Sequence, residues 1–174
     1  MLTRRPEKLL AGILMVTVVA VIMASYVAGH GDVRPGYSGA DGDAGDCASC
    51  HSDDESNSGG SQSGVFDVAE YIPGEAVEVN VTVVGDGHEF FGFAMVAVDE
   101  EDDSVGNFEI ALGNTGVTVN DADDNDYGYD YVLSTSDSYE SQGSQTWTFD
   151  WNATGFDGDV TFYISSMSCD DVSG

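Results

Sequence analysis

Apolar and polar residues alternate in short stretches from Val65 onward, and this pattern predicts β-strands. In Glu75 to Val83 the apolar side chains fall on nearly every second position, which is the period of a strand with one buried face. Pro73-Gly74 stands just before this stretch as a turn signal. Phe90 to Val98 is apolar almost throughout and ends in the acidic turn Asp99 to Asp103, so it predicts a buried strand.

Further short strands are predicted where apolar residues cluster between Gly, Asp and Ser. They are Phe108 to Leu112, Val117 to Val119, Tyr127 to Leu133, Thr146 to Trp151 and Val160 to Ile164. No helical period occurs after residue 30. Many short strands at this spacing favour an all-β fold, a single Ig-like antiparallel β-sandwich over residues 65–174.

The amino-terminal end has the layout of an export segment. Arg4, Arg5 and Lys8 precede Leu9 to Ala28, a stretch that contains no charge. At about 20 residues this stretch is longer than a typical signal core and long enough to span a bilayer. We therefore expect residues 1–28 to be a cleaved signal peptide or an N-terminal membrane anchor. Everything after Gly29 is then extracellular or at the cell surface.

Charge is distributed unevenly along the chain. There are 32 acidic and 4 basic residues, which gives a formal net charge of −28, and no Lys or Arg follows Arg34. Such a dense negative charge opposes compaction unless salt screens it, which indicates a halophilic, acidic surface. The charge also argues against polyanionic partners, namely nucleic acid and anionic lipid headgroups.

Residues 29–64 are rich in Gly, Asp and Ser and predict a flexible segment. Within it lies Cys47-Ala48-Ser49-Cys50-His51, the attachment pattern of c-type haem. Two thiols one helical turn apart can add across the two vinyl groups of one porphyrin, and the adjacent imidazole then becomes an axial ligand of the iron. The sequence thus predicts one covalent haem c bound by Cys47, Cys50 and His51.

Two other interpretations of this motif stay open. Cys47 and Cys50 can form a disulfide in an oxidising compartment, with His51 incidental. They can also be half of a zinc site, which needs four ligands, and Cys169 and His88 are the plausible completions.

A haem iron bound by His51 has a second axial position. His88 follows Gly85-Asp86-Gly87 at a loop-to-strand edge and is the predicted distal ligand. The competing interpretation is that His88 is a surface residue of the turn. Met95 and Met167 are rivals, but a strand methionine is most often a packing residue. A His/His pair favours a lower potential than a His/Met pair.

Other sites have weaker support. The acidic run Asp121 to Asp130 has oxygen ligands at alternate positions, as a calcium loop does. However, Asp126 and Val132 stand where an EF-hand has Gly and Glu, so a solvated loop is the better interpretation. The sequence shows no nucleophile–base pair, Gly-x-Ser-x-Gly elbow or phosphate-binding Gly loop, so we expect a protein that is not an enzyme.

Several blocks follow one another in a familiar order over residues 39–163. They are Gly39-Ala40 leading into Cys47 to His51, then Tyr71 to Glu75, Phe91 to Met95, Trp147 to Ala153 and Gly158 to Tyr163. Together they resemble the secreted choice-of-anchor V domain family, which is similar to the reeler (reelin-type) sandwich. The resemblance implies a cell-surface protein with an Ig-like sandwich and, usually, a carboxy-terminal anchoring signal.

The chain departs from this family at two places. Ser134 stands where the family tends to have a His, in a Tyr-x-x-His-Thr block. If that His is a distal haem ligand in relatives, this chain uses another group or leaves the position open. The sequence ends at Gly174 without an apolar tail, so we expect either a truncated carboxy terminus or Leu9 to Ala28 as the only anchor.

Two functions follow as expectations. The first is an extracytoplasmic, membrane-associated c-type haem protein with one haem, which passes electrons to a redox partner that the sequence does not identify. The second is a cell-surface adhesion or binding domain of the reeler type, in which Cys47 and Cys50 are structural. The motif favours the first function and the family resemblance favours the second.

Overall fold

The alternating and apolar stretches form antiparallel strands. The computed structural model describes residues 33–50, 60–66, 70–139 and 141–169, which belong to one compact unit, Asp32–Gly174. Its strands are β1 (Gly60–Phe66), β2 (Ala76–Gly85), β3 (Phe90–Val98), β4 (Asn107–Glu109), β5 (Val117–Asn120), β6 (Tyr131–Ser134), β7 (Ser144–Asn152) and β8 (Thr161–Cys169).

The strands form two four-stranded sheets that pack as a sandwich. Sheet A has the order β1-β2-β7-β4, and sheet B has the order β5-β6-β3-β8. The strand pairs of both sheets are antiparallel. The predicted all-β antiparallel sandwich is therefore confirmed. In the described ranges the helical elements are short: α1 (Cys47–Cys50) and two 3-10 turns, Ala122–Asp124 and Ser136–Ser138.

The core between the two sheets is strongly aromatic. The ring centroid of Phe93 lies 4.8 Å from that of Trp147 and 6.0 Å from that of Phe149. Trp151 is also buried, and its Nε1 donates a hydrogen bond of 3.1 Å to the carbonyl of Val105. Burial of each large side chain of this kind contributes about 1.5–3 kcal/mol. These rings therefore provide much of the attraction between the sheets.

Strand β3 is buried on both of its faces, which explains its apolar sequence. Phe93 and Met95 point into the core between the sheets. Ala94 and Val96 point to the outer face of sheet B, where they pack with Tyr131 and are also fully buried. Because side chains alternate between the faces of a strand, an outer face this apolar requires a third layer to cover it.

Residues 33–50, which we call the strap, supply that third layer. The strap folds back on itself through hydrogen bonds from Gly39 N to Gly45 O at 3.0 Å and from Ala44 N to Gly36 O at 2.9 Å. Gly36 has a φ of +90°, and a Cβ there would lie 2.2 Å from Cζ of Tyr127. Only glycine fits this position, because both the backbone angle and the ring exclude a side chain.

The amino-terminal half thus differs in part from its prediction. The segment predicted to be flexible, residues 29–64, contains the folded strap, and β1 begins at Gly60, before the predicted sandwich boundary at Val65. The predicted export segment, residues 1–28, lies outside the described residues. Among the described helices, none is long and apolar enough to cross a membrane.

Some predicted strand ends were wrong, and long-range pairing explains the largest difference. Strand β8 continues past Ile164 to Cys169 because the edge of β3 from Phe90 to Ala94 offers a hydrogen-bonding partner to this serine-rich stretch. Strand β6 begins at Tyr131 rather than Tyr127, since the residues before it form a turn. Strand β4 covers Asn107–Glu109 and ends short of Leu112.

Candidate functional site

The carboxylate of Asp43 is one of the groups that fix the strap to sheet B. Its Oδ2 accepts hydrogen bonds from the backbone nitrogen and the hydroxyl of Ser38, both at 2.7 Å. Its Oδ1 accepts a hydrogen bond from the hydroxyl of Tyr131 on β6. A second tyrosine hydroxyl, that of Tyr129, donates to the carbonyl of Asp41. The strap and the sheet therefore meet through tyrosine hydroxyls that need their protons.

The protonation of these two tyrosines matches that role. Burial raises the pKa of Tyr131 far above its usual value, and the hydrogen bond and negative charge of Asp43 raise it further. The pKa of Tyr129 is also raised, first by burial and then by the charges of Asp102 and Asp43. Both phenols thus stay neutral at ordinary pH and remain able to donate to the strap.

The helix that contains the cysteine motif is capped at its start. Asp46 stands at the N-cap, and its Oδ1 accepts hydrogen bonds from Ser49 N at 3.0 Å and Ser49 Oγ at 3.1 Å. In return, Ser49 Oγ accepts a hydrogen bond of 3.1 Å from Asp46 N. This reciprocal pair resembles a capping box and satisfies backbone donors that the first turn leaves open. The sequence therefore forms one helical turn from Cys47 to Cys50.

The same helix is held to the edge strand of sheet B. The backbone nitrogen of Cys47 donates a hydrogen bond of 2.8 Å to the hydroxyl of Ser165 on β8. Ser165 is buried and Cys47 is half-buried. The side chain of Cys50 and all of His51 lie outside the described residues. Of the predicted haem-binding trio, the structure therefore places Cys47 and the backbone of Cys50.

His88 is held beside the same edge strand. Its Nδ1 is 2.7 Å from Oγ of Ser168, its backbone nitrogen donates to Gly85 O at 3.1 Å, and its carbonyl accepts from Gly143 N at 3.1 Å. Ser165 and Ser168 are three positions apart on β8, so their side chains point to opposite faces about 10 Å apart along the strand. The structure thus places Cys47 and His88 beside one edge strand, but on different faces of it.

Strand β1 begins beside the end of β8. Its first residue, Gly60, pairs with Gly85, and a Cβ on Gly85 would lie 2.4 Å from Oγ of Ser168.

The two methionines considered as rival ligands have different surroundings. Met95 is 0% exposed and belongs to the core between the sheets, which is the environment of a packing residue. Met167 is half-buried and pairs with Gly92 on β3. It shares the outer face of sheet B with Ser165, because the two lie two positions apart on β8. Met167 is therefore the methionine with access to the motif helix.

Ser134, which stands at the position of the family histidine, is fully buried. Its Oγ accepts a hydrogen bond of 3.0 Å from Phe93 N and is 3.4 Å from Phe93 O. Its carbonyl accepts a hydrogen bond of 3.3 Å from Val33 N in the strap. Ser134 therefore links β6 to β3 and to the strap.

The acidic run that resembled a calcium loop is organised by an amide. Nδ2 of Asn125 donates to Asn120 Oδ1, Asp121 O and Tyr129 O at distances of 2.8–2.9 Å. The carboxylate of Asp130 accepts from Ala122 N at 2.7 Å. Across the ranges that the structure describes, no group of three or more His, Cys, Asp or Glu could hold a metal ion. The loop therefore closes through its own hydrogen bonds.

The donors described at the β8 edge do not converge as a zinc site completed by Cys169 and His88 would require. A zinc ion needs four ligands that converge on it, whereas Cys169 pairs with Phe90 on the outer face and His88 contacts Ser168 on the inner face. Haem c needs two thiols one helical turn apart and an adjacent imidazole. The structure describes the capped helical turn with Cys47 at its first position, while the side chain of Cys50 and His51 lie outside the described residues.

Several residues of this arrangement were not predicted from the sequence. Ser165 and Ser168 gave no sequence signal, because serines in a strand are common. The strap contact had a signal that could have been used. Tyr127, Tyr129 and Tyr131 occupy alternate positions and so share one face, which indicates that a covering segment packs on them.

Two solved structures resemble this chain at low sequence identity. The human F-spondin reeler domain (fragment 2) matches 61% of this chain and 77% of its own length, with 18% identity and a TM-score of 0.42. The chitin-binding domain of a chitinase from Pyrococcus furiosus matches 63% of this chain and 98% of its own length, with 19% identity and a TM-score of 0.32. No protein-family model and no curated protein matches the chain.

Proposed function

We propose that this protein is an extracytoplasmic c-type haem protein that binds one haem through Cys47 and Cys50, with His51 as its proximal ligand. The observation that supports this most directly is the placement of the motif helix. That helix is capped by Asp46 and Ser49 and bound to Ser165 of the sandwich edge. A flexible linker would not orient the first thiol, whereas a helical turn held on a rigid sheet does.

The bound group would supply one-electron redox chemistry. The residues of this chain would hold and orient it. The strap, fixed by Asp43 and Tyr131, keeps the motif helix on the outer face of sheet B. The two-sheet sandwich beneath it would serve as the support. Such a support suits electron transfer, because the haem site should rearrange little when the iron changes its oxidation state.

We propose His88 as the distal ligand of the same haem. It is half-exposed, it lies beside the strand that holds the motif helix, and Ser168 contacts its Nδ1. Met167, on the other face of β8, is the rival. Two imidazoles would give a lower potential than an imidazole with a thioether, and the surrounding negative charge lowers the potential further by favouring the oxidised iron.

We propose that the protein lies at the cell surface, attached to the membrane by residues 1–28 where these are not removed. The redox partner is proposed to be another protein. The formal net charge of −28 favours a partner with a basic surface over nucleic acid or an anionic lipid surface.

The test is haem staining of the full-length protein, made in a host that matures c-type haem and purified at high salt. Covalent haem survives denaturing electrophoresis, so the wild-type band should stain and the Cys50→Ala band should not. Cys169→Ser is the matched control, because it removes the remaining cysteine on β8 and should stain like the wild type. An unstained wild-type band would contradict the proposal.

The alternative is a cell-surface adhesion or binding domain in which Cys47 and Cys50 form a structural disulfide. It is supported by the strap, which is an integral layer of the sandwich and would benefit from a cross-link near its end. In that case the wild-type protein stays colourless, and reduction of the disulfide lowers its melting temperature.

A further inference from the structure

Two stretches of sheet A have the acceptor pattern of N-linked glycosylation, which is Asn-x-Thr with x other than Pro. They are Asn80-Val81-Thr82 in β2 and Asn152-Ala153-Thr154, which begins at the last residue of β7. Both asparagines are half-buried and point to the outer face of the sheet, away from the core. Exposure therefore does not distinguish the two sites, but their hydrogen bonds do.

The first site is engaged in the middle of the sheet. Nδ2 of Asn80 donates to Glu78 Oε1 at 3.1 Å, and its Oδ1 accepts from Thr148 Oγ1 at 2.6 Å. The hydroxyl that completes the pattern, that of Thr82, lies 2.9 Å from Oγ1 of Thr146 on β7. Positions two apart along a strand are separated by about 6.5 Å. The amide and the hydroxyl of this site are therefore held apart, each with a partner of its own.

The second site lies in a turn. After Asn152 the chain leaves β7 through hydrogen bonds from Thr154 N to Asn152 O at 2.9 Å and from Phe156 N to Ala153 O at 3.3 Å. Gly155 has a φ of +78°, which the turn requires. Ala153 is 0% exposed and packs in the core, while Thr154 is exposed. The buried alanine thus fixes a turn that presents its two polar neighbours.

In this turn the two groups of the acceptor pattern are in contact. Oγ1 of Thr154 donates a hydrogen bond of 3.1 Å to Oδ1 of Asn152. In the described part of the chain, no hydrogen bond engages Nδ2 of Asn152, so this nitrogen is able to form a new bond. The residues that pair with Asn152, Ala76 of β2 and Asn107 of β4, are short and exposed, which leaves room for a bulky group.

We infer that Asn152 is an N-glycosylation site and that the fold keeps Asn80 unmodified. The pattern includes the hydroxyl, so a transferase that recognises it must reach the amide and the hydroxyl together. At Asn152 the turn presents both on one side. At Asn80 the same access would require β2 to separate from β1 and β7, its neighbours in the sheet.

The modification is a group transfer from a glycan carried on a lipid phosphate. A bond forms between Nδ2 of Asn152 and the anomeric carbon of the glycan, and the bond from that carbon to the phosphate oxygen breaks. The oxygen keeps the electron pair, and the amide gives one proton to a base of the transferase. The inference rests on the extracytoplasmic location in the proposed function, because such acceptors are modified in secreted proteins. It does not depend on the haem.

The experiment uses the full-length protein, made in a host whose secreted proteins carry N-linked glycans. A second Asn-Ala-Thr sequence, appended after Gly174 through a Gly-Ser linker, shows that the transferase has acted on the chain. Peptide mass spectrometry measures the glycosylated fraction of each asparagine, and protease added to intact cells measures export. Asn152→Gln and Thr154→Ala each remove the acceptor, whereas Thr154→Ser keeps a hydroxyl. Asn80→Gln and Thr82→Ala are the matched controls at the other site.

We expect glycan on Asn152 and on the appended sequence, and none on Asn80. The glycan on Asn152 should be lost in Asn152→Gln and Thr154→Ala and kept in Thr154→Ser and in both controls. Glycan on Asn80, alone or together with Asn152, would show that modification precedes strand pairing and would overturn selection by the fold.

Failure of the inference and failure of the proposed function give different results. An exported protein with a glycosylated appended sequence and an unmodified Asn152 would overturn the inference and leave the proposed function standing. A protein that the added protease does not reach would contradict the proposed location, and the inference with it.

Discussion

The two outer faces of the sandwich are built differently, although both come from alternating strands. The outer face of sheet B presents Ala94, Val96 and Tyr131, and the strap covers it. The outer face of sheet A presents polar side chains to solvent, such as Asn80 and Thr82 of β2. A strand that is covered on both sides is apolar throughout, as β3 is, whereas a strand with one open side alternates, as β2 does. The motif helix thus belongs to the covered side.

The open face of sheet A also concentrates negative charge. Glu78 on β2 pairs directly with Asp150 on β7, and Asp150 pairs with Glu109 on β4. Like charges directly opposite each other on neighbouring strands destabilise a sheet. The covered face is therefore stabilised by packing and by the strap hydrogen bonds, while the paired carboxylates of the open face repel one another.

Removing the central tyrosine of the covered face should have the largest effect on stability. Tyr131→Ala deletes a fully buried ring and the donor to Asp43, so we expect the free energy of unfolding to fall by about 3–5 kcal/mol. Thr82→Ala on the open face is the control and should cost less than about 1 kcal/mol. Urea unfolding at high salt measures both. Equal losses in the two variants would mean that the strap is not a structural layer.

Alkaline pH should destabilise the covered face through the same tyrosine. Because the pKa of Tyr131 is raised in the folded protein, the phenol keeps its proton there at pH values where the unfolded chain loses it. Its contribution to stability is complete below about pH 10 and declines above that, by up to about 1.4 kcal/mol per pH unit.

Unfolding of the wild type and of Tyr131→Phe between pH 8 and pH 11 would check this, since phenylalanine has no proton to lose. The variant should be less stable than the wild type at pH 8 and should show a shallower decline above about pH 10. Parallel pH profiles for the two proteins would show that Tyr131 is not the group responsible.

Salt should act mainly on the open face. A single substitution there should change the free energy of unfolding less than the Tyr131 substitutions do. At about 0.1 M salt the Debye length is still about 10 Å, longer than the spacing between paired strands, so the row of carboxylates repels itself until salt is raised. We expect the melting temperature of the wild type to climb between 0.1 M and molar salt.

Asp150→Asn removes the central charge of that row and should reduce the salt dependence. Its stabilising effect at low salt should be about 0.2–1 kcal/mol, measured by thermal unfolding across a salt series. Asp137→Asn, in the 3-10 turn Ser136–Ser138, is a control that removes one charge outside the row. If Asp137→Asn reduces the salt dependence by the same amount, the effect comes from net charge and not from the paired strands.

The same contrast shows which parts of the structure the sequence could predict. Strand β3 was predicted with both ends correct, Phe90 and Val98. A strand that is buried on both faces has a continuous apolar sequence, which is easy to recognise. The strap was predicted to be flexible because it is rich in Gly, Asp and Ser, and the contacts that hold it in place join residues far apart in the sequence. Asp43 and Tyr131 are 88 positions apart, and Cys47 and Ser165 are 118 positions apart. No local pattern contains such pairs.

The candidate site follows the same rule. Cys47 and Cys50 could be identified because the spacing of a haem attachment motif is local, and α1 forms over these residues. The capping of that helix by Asp46 and Ser49 is local too, and could have been predicted from the Asp-x-x-Ser spacing. The partner of the His88 ring could not have been predicted, because Ser168 is 80 positions away and lies in a stretch without a distinctive pattern.

The central claim is that the motif helix attaches a haem, and the mass of the proteolytic fragment containing Cys47 and Cys50 tests it most directly. The full-length protein is made in a haem-maturing host, purified at high salt and cleaved at acidic residues. The account predicts a fragment whose mass is increased by one haem, and no such increase in Cys50→Ala. A fragment that is two hydrogens lighter, as a disulfide would make it, or one of unmodified mass would contradict the account.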